Sequence, residues 1–161
     1  MKNLIYDLGQ ILLICMFMLL MELPSTLSYL SQRNKAKESE AKMYVGSMNR
    51  AQQALFIETS AFATSVNTLG IGIKTETTNF KYSVSATKQI AFNYGVSTNE
   101  KLRSYNGGVF VIRIKPNKAQ DAITTETILC RADKPGTATP LSPTIQNNKL
   151  VCGSGTTAVT K

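Results

Sequence analysis

The fold of this chain is decided by its N-terminal stretch, Leu8-Gly-Gln-Ile-Leu-Leu-Ile-Cys-Met-Phe-Met-Leu-Leu-Met-Glu-Leu-Pro-Ser25. Its core, from Ile11 to Met21, is an uninterrupted apolar run. That run alone is shorter than the roughly 20 residues that cross a bilayer, and extending it from Leu4 to Leu23 supplies the length. We therefore expect residues 1–25 to form the hydrophobic part of a long helix that is held in a membrane, uncleaved or only minimally trimmed, rather than removed as a secretory signal.

The residues that follow continue the helix in a more polar form. Pro24 predicts a kink that does not end the helix, because strong helix formers resume from Tyr29 onward. Apolar residues then recur at helical spacing and predict one buried stripe on an amphipathic helix over residues 26–60. The stripe consists of Tyr44, Met48, Ala51 and Leu55, with Val45 and Phe56 widening it.

Residues 61–161 predict a small β-rich head. Alternating apolar side chains indicate strands at Phe80–Val84 and Ile90–Tyr94, and two more strands are expected at Val109–Lys115 and Ile123–Arg131. Asn106-Gly107-Gly108 is typical of a turn before the third strand. Three to four antiparallel strands form one small sheet, and the helix stripe is the large cover available for it. The fold class predicted is α+β, with a looped segment after Ala132.

Composition excludes several kinds of chemistry. The chain has no histidine, so it has no Ser-His-Asp or Cys-His catalytic pair and no imidazole metal ligand. Gly70-Ile-Gly72 lacks the further glycines of a nucleotide loop, and Glu38 and Glu40 do not share a helix face. We expect no enzymatic activity, no cofactor, no metal site and no small-molecule substrate.

The net charge of +8 is concentrated on the head. Residues 1–60 carry six basic and five acidic side chains, whereas residues 61–161 carry twelve and five. With Tyr82, Tyr94 and Tyr105 among them, the basic residues are a candidate patch for DNA or acidic polysaccharide; the alternative is a set of solvated strand faces. The candidate patch comprises Lys81, Lys88, Lys101, Arg103, Arg113, Lys115 and Lys118.

The three cysteines differ in their surroundings. Cys15 lies inside the apolar run and is interpreted as a small hydrophobic residue. Cys130 and Cys152 lie in the last third of the chain, with three prolines between them. In an exported protein this pair indicates a disulfide that closes a C-terminal loop and contributes about 3 kcal/mol to stability. The alternative is two reduced cysteines.

Several phrases of the sequence resemble type IV pilins, most closely the cyanobacterial major pilins. The resemblance covers residues 23 to about 131. It is carried by Ala36-Lys-Glu-Ser-Glu-Ala-Lys42, Val45-Gly-Ser-Met-Asn-Arg-Ala-Gln-Gln-Ala54, Thr68-Leu-Gly-Ile-Gly-Ile-Lys-Thr-Glu-Thr-Thr-Asn-Phe-Lys-Tyr-Ser-Val84 and Ser104-Tyr-Asn-Gly-Gly-Val-Phe110. The resemblance implies a helix packed on an antiparallel sheet and a joined Cys130–Cys152 pair.

The first 22 residues depart from the pilin pattern. Pilins have a leader that ends in glycine, followed by Phe-Thr-Leu-Ile-Glu, and a prepilin peptidase cleaves and methylates the new terminus. Counting back from Leu23-Pro24-Ser25 places Lys2-Asn3 at the cleavage site and Asp7 at the glutamate that the family uses in assembly. Three explanations stay open: a divergent subunit inserted without processing, a misassigned start, or a decayed copy.

The resemblance implies a structural subunit of a type IV pilus, active in adhesion, twitching motility or DNA uptake. Its partners are then other pilin subunits and membrane lipid. Its location is the inner membrane, as a single-pass protein with an exported head, and the cell-surface pilus once it is assembled. The alternative is a minor pilin or a type II secretion pseudopilin that stays anchored and binds DNA or an acidic surface with its basic head.

Overall fold

The structure is a computed structural model that describes residues 10–16, 23–114 and 122–159. The chain divides into two compact units, Met1–Ala36 and Lys37–Lys161, and the boundary falls within the long helix Leu23–Thr59. That helix ends where predicted, because Ser60 adopts a left-handed backbone (φ 56°) and donates its N–H to the Phe56 carbonyl. The three-part division into 1–25, 26–60 and 61–161 stays a prediction.

The head contains short and long strands after a 3₁₀ turn at Asn67–Leu69. In the described part of the chain the strands are β1 Phe80–Ala86, β2 Ile90–Ser97, β3 Tyr105–Ile114, β4 Ala122–Ala132, β5 Thr144–Gln146, β6 Lys149–Val151 and β7 Thr156–Ala158. One antiparallel sheet has the order β1-β2-β3-β4-β7, and β5 and β6 form a separate hairpin. The predicted α+β class is therefore confirmed.

The two faces of the main sheet have different covers. One face carries Tyr82, Val109 and Leu129 and packs against the long helix and the loop that follows it. The helix contributes Val45 and Met48 to this core, as its apolar stripe predicted, and also Ala41, which the predicted stripe did not include. The other face carries the side chains that alternate with these along each strand, and it is covered by the C-terminal segment. Its contacts include Asn106 with the Leu141 carbonyl, and Tyr94 with Ser142.

The predicted turn at Asn106-Gly107-Gly108 is wrong, because all three residues lie inside β3. The two glycines serve close packing instead. A Cβ on Gly107 would overlap the Asn49 side chain, and one on Gly108 would lie 2.6 Å from the Phe110 ring and 2.7 Å from Pro143. Each glycine therefore lets one of the two covering layers approach the middle of the sheet.

The expectation of a looped segment after Ala132 is only partly right. It contains the β5–β6 hairpin, whose turn residues Asn147 and Asn148 both have positive φ, as a two-residue hairpin turn requires. It also contains β7, which joins the main sheet beside β4 and pairs only with Cys130–Ala132.

Candidate functional site

The centre of the helix–sheet interface is held by a polar cluster around Asn49. Its Nδ2 donates to the Ile128 carbonyl at 3.0 Å, and its Oδ1 accepts from Asn93 Nδ2 at 2.8 Å. Asn49 and Asn93 are both buried. Because a buried amide without a partner is costly, these bonds fix the position of the helix over β2, β3 and β4.

Two glutamates nearer the N-terminus of the same helix, Glu38 and Glu40, also attach it to the head. Glu38 is buried and accepts the backbone N–H of Arg103 at 3.0 Å. Glu40 accepts from the Thr77 hydroxyl at 2.7 Å and from the Tyr82 hydroxyl at 3.2 Å. Burial, reinforced by the Glu40 carboxylate, raises the pKa of Tyr82 above its ordinary value. Burial and the charge of Glu38 likewise raise the pKa of Tyr105.

Side chains at successive positions along the helix reach different strands, which shows that the helix crosses the sheet diagonally. Glu40 contacts β1 through Tyr82, Asn49 contacts β2 through Asn93, and Gln53 Nε2 donates to the Thr125 carbonyl of β4 at 3.2 Å. The space beside the C-terminal part of the helix, over β1 and β2, is filled by Phe62 and its neighbours. The corresponding space over β4 and β7 is open.

This open space forms a groove of about 620 Å³, called here the β4 groove. It is lined by Lys42, Met43, Gly46, Asn49, Arg50 and Gln53 of the helix, Thr127, Ile128 and Leu129 of β4, and Ala158 and Val159. Gly46 leaves room in it, since an added Cβ would approach Leu129 Cδ2 no closer than 4.0 Å. The groove thus has an apolar floor with cations on the helix side.

A second groove of about 610 Å³, called the Ile57 groove, lies at the C-terminal end of the helix. Its apolar members Ile57 and Ile123 are 80% and 60% exposed. The lining residues are Phe56, Ile57, Ser60, Lys88, Gln89, Val111, Arg113, Ile123, Thr124 and Thr125. Gln53, which lines the β4 groove, is hydrogen-bonded to Thr125, which lines the Ile57 groove.

The structure distributes the predicted basic patch over the head. Lys88 and Arg113 share the Ile57 groove. Arg103 lies in the connection between β2 and β3 with Lys101, where its Nε donates to the Asp133 carbonyl. Lys81 lies on β1 and forms an exposed ion pair of 3.5 Å with Glu76. Lys115 and Lys118 lie outside the described residues.

The tyrosines that the sequence places among these basic residues have other partners. Tyr82 and Tyr105 are buried in the core under the helix. Tyr94 is half-buried, and its hydroxyl lies 2.6 Å from Ser142 Oγ. Anion binding by the head would therefore depend on its cations rather than on these rings.

Cys130 and Cys152 form the predicted disulfide, with a Cα–Cα distance of 5.8 Å. Cys130 is buried in β4, so the bond ties the C-terminal cover to the central sheet. Cys15 is a free, exposed thiol. Within the described ranges no three His, Cys, Asp or Glu side chains gather as metal ligands would.

A family model described as "Type IV pilin-like G and H" matches residues 38–153, which is well over half of the chain. The chain belongs to this type IV pilin-like family. The match begins at Glu38, which anchors the helix to the head, and ends beside Cys152, so it spans the helix–sheet core and the disulfide. No match was found among curated proteins or among solved structures.

Membership of the pilin-like family gives a coarse functional assignment. It supports a pilin-type structural subunit that assembles with other pilin subunits in a surface filament or at a membrane. No helix among the described residues has both the length and the apolar character needed to cross a bilayer. The segment predicted to be anchored, residues 1–25, lies mostly outside the described ranges, as does Asp7. Pro24 lies in the first turn of the long helix, and the kink there stays a prediction.

Proposed function

We propose that this pilin-like chain is a structural subunit held in the inner membrane by its apolar N-terminal segment, with the head exported, and taken up into a surface filament. The observation that carries the proposal is the exposed apolar surface at helical residues 10–16. Ile11, Leu12, Leu13, Ile14 and Met16 are 58–71% exposed. Because burying each such side chain is worth about 1.5 to 3 kcal/mol, lipid or neighbouring helices would cover this segment.

Filament assembly also needs a partner for the carboxylate of Asp7. The pilin register places Asp7 where the family has its assembly glutamate, and an isolated carboxylate in an apolar surrounding seeks a cationic partner. We assign that partner to the amino terminus of a neighbouring subunit. Adhesion, twitching motility or DNA uptake would then be properties of the assembled filament.

The test is to label cells that express an epitope-tagged chain and to examine them by electron microscopy. We expect labelled filaments, and N-terminal sequencing of the filament protein should find a trimmed, methylated start. Label confined to the membrane fraction, with Met1 intact, contradicts the filament role. Asp7→Asn should abolish labelled filaments because it removes the charge, whereas the matched Asp7→Glu variant should retain them.

A second candidate function is a minor pilin or a secretion pseudopilin that stays anchored and binds DNA or an acidic surface. The observation that favours it is the joint presence of Lys88 and Arg113 at one end of the sheet. Binding of this kind is driven by release of counterions from phosphates and therefore weakens steeply with salt.

The second candidate is tested by retention of the full chain on immobilised double-stranded DNA at low and high salt. Lys88→Glu combined with Arg113→Glu should reduce retention at low salt, and Lys74→Glu combined with Lys149→Glu, at two exposed lysines outside the candidate patch, is the matched control. If the chain shows no retention at low salt, this candidate loses its support.

A further inference from the structure

The chain contains one Asn-Gly step, Asn106-Gly107, and it lies inside β3. Asparagine followed by glycine is especially prone to spontaneous deamidation, because no side chain hinders attack by the following backbone nitrogen. The Gly107 nitrogen, having lost its proton, bonds to Asn106 Cγ, and the side-chain nitrogen leaves as ammonia. Water then opens the resulting cyclic succinimide at either carbonyl, which gives aspartate or isoaspartate. Apart from water, the chain itself supplies every reacting group.

The folded sheet blocks this reaction at the backbone. Gly107 lies between Asn93 of β2 and Leu129 of β4 in the register of the sheet. In a central strand the backbone groups are committed to hydrogen bonds with one neighbouring strand or the other. The Gly107 N–H is therefore held in the ladder, and ring closure would need a backbone rotation that the paired strand does not permit. Deamidation at Asn106 requires β3 to leave the sheet.

A second layer covers the Asn106 side chain. Asn106 is fully buried, and its Nδ2 donates to the Leu141 carbonyl at 2.8 Å. The disulfide holds this layer in place, since Cys130 lies directly opposite Asn106 in the β3–β4 register and is bonded to Cys152. The next residue, Gly153, is so close that an added Cβ would lie 2.5 Å from the Leu141 carbonyl oxygen. The closed disulfide therefore places Gly153 against Leu141, and Leu141 covers Asn106.

The product of deamidation does not fit the folded position of Asn106. An aspartate there has an acceptor oxygen where the amide donates to the Leu141 carbonyl, so two acceptors would face each other. The carboxylate would also place a charge in a fully buried position, which is costly. An isoaspartate adds a methylene group to the backbone of β3 and disturbs its register with both neighbouring strands. Either product opposes closure of the head.

We propose that Asn106-Gly107 is a deamidation site that the closed disulfide shields, and that its reaction irreversibly removes heads in which this disulfide is missing. An oxidised head opens rarely, because the cross-link restricts the opened chain, and its Asn106 persists. A head without the cross-link opens more often and deamidates. It then does not close correctly, even if its cysteines are oxidised later. This device does not depend on filament assembly and applies to either function proposed above.

The test compares the oxidised full chain with its Cys152→Ser variant in mildly alkaline buffer with detergent micelles. Peptide mass spectrometry follows the conversion of Asn106 to aspartate and isoaspartate over time. We expect conversion to be about tenfold to a hundredfold faster in the variant, because the disulfide makes the opened state rarer by such a factor. Asn148, exposed in the β5–β6 turn, is measured in the same digests and should react at similar rates in both chains. Equal conversion of Asn106 in the two chains overturns the proposal.

A second measurement tests irreversibility in a chain that keeps both cysteines. Asn106→Asp reproduces one product, and Asn148→Asp introduces the same charge in the exposed turn as the matched control. At neutral pH we expect Asn106→Asp to lower hydrogen-exchange protection of β3 and β7 by about tenfold or more, and Asn148→Asp to leave it unchanged. Equal protection in the two variants overturns the proposal, because deamidated heads would then close normally. Recovery of full protection after a reduced, deamidated chain is reoxidised overturns it as well.

Discussion

Gln52 and Ala63 are joined by a closed pair of hydrogen bonds. The Gln52 Nε2 donates to the Ala63 carbonyl at 3.0 Å, and the Gln52 Oε1 accepts from the Ala63 N–H at 2.8 Å. Both residues are buried. The Gln52 side-chain amide thus makes the two hydrogen bonds with the loop backbone that a neighbouring strand would otherwise make. It holds Phe62, Val66 and Leu69 in the space beside the helix.

Replacing Gln52 should therefore release this loop. Gln52→Leu leaves the buried N–H and carbonyl of Ala63 without partners, and we expect a loss of about 2 to 4 kcal/mol in the free energy of unfolding. Urea unfolding of the full chain measures it. Gln53→Leu is the matched control, because the Thr125 carbonyl that it frees belongs to a residue lining the open Ile57 groove; its expected cost is below about 1.5 kcal/mol. Equal losses in the two variants would contradict this role for Gln52.

Two glycines should respond to alanine in opposite directions. Gly107→Ala places a methyl group against the Asn49 amide and should destabilise the head by about 1 to 3 kcal/mol. Gly46→Ala adds a methyl group in open space on a helix and should stabilise it by about 0.5 to 1 kcal/mol. Thermal unfolding of the two variants against the unmodified chain gives the signs. Destabilisation by Gly46→Ala would mean that the space beside it is filled.

Loss of the disulfide should weaken the C-terminal cover. Cys152→Ser removes the bond that closes the loop from Cys130, and the expected cost is about 3 kcal/mol. Cys15→Ser, at an exposed free thiol, is the control and should leave stability unchanged. Hydrogen exchange measures the local effect. We expect the protection of the β7 amides to fall further than that of the β2 amides. Uniform loss across the sheet would argue against a local effect.

Stability should fall at alkaline pH because of two tyrosines. The folded-state pKa values of Tyr82 and Tyr105 are raised. Their contribution to the free energy of unfolding is therefore fully present below the tyrosine pKa of the unfolded chain, about 10, and is lost as pH rises above it. Each tyrosine that is protonated in the folded head and ionised in the unfolded chain lowers the free energy of unfolding by about 1.4 kcal/mol per pH unit. Unfolding curves between pH 8 and about 11.5 measure the slope.

The variant Tyr82→Phe tests that assignment. It removes one titrating group, so the stability should fall less steeply with rising alkaline pH. At neutral pH it should cost only about 0.5 to 1.5 kcal/mol, because Glu40 loses one hydrogen bond and keeps the bond from Thr77. An unchanged slope would show that Tyr82 ionises in the folded head as readily as in the unfolded chain.

The sequence predicted the elements that have strong periodicity. The stripe through Met48 and Val45 located the buried face of the helix, and alternation located β1 and β2. The short strands β5, β6 and β7 span three residues each, which is too short for an alternating pattern. Gly107 was assigned to a turn because glycine is common in turns, and only the position of Asn49 explains its place in a strand.

The polar interface and the grooves were beyond prediction from the sequence. Asn49 and Gln52 are buried on the helix stripe, but nothing in the sequence indicates the partners that make their burial tolerable. The β4 groove results from the diagonal crossing of the helix, which is a tertiary property. The described basic residues of the predicted patch lie on or between the strands of the head, and their role in binding stays a prediction. Their separation, with Lys88 at one end and Arg103 in the connection between β2 and β3, depends on the strand order.

The disulfide also distinguishes an earlier, reduced state of the subunit from a later, oxidised one. Cys152 is synthesised after all of β4, and cysteines are oxidised in exporting compartments rather than in the cytosol. Until that oxidation, three residue pairs between β4 and β7 and the packing of the C-terminal segment are what hold this cover in place. Under the proposed export of the head, the same polypeptide has a looser form before export and a locked form afterwards. Export would then act as the final step of maturation, fixing the outer layer of the head only where the subunit is to be used.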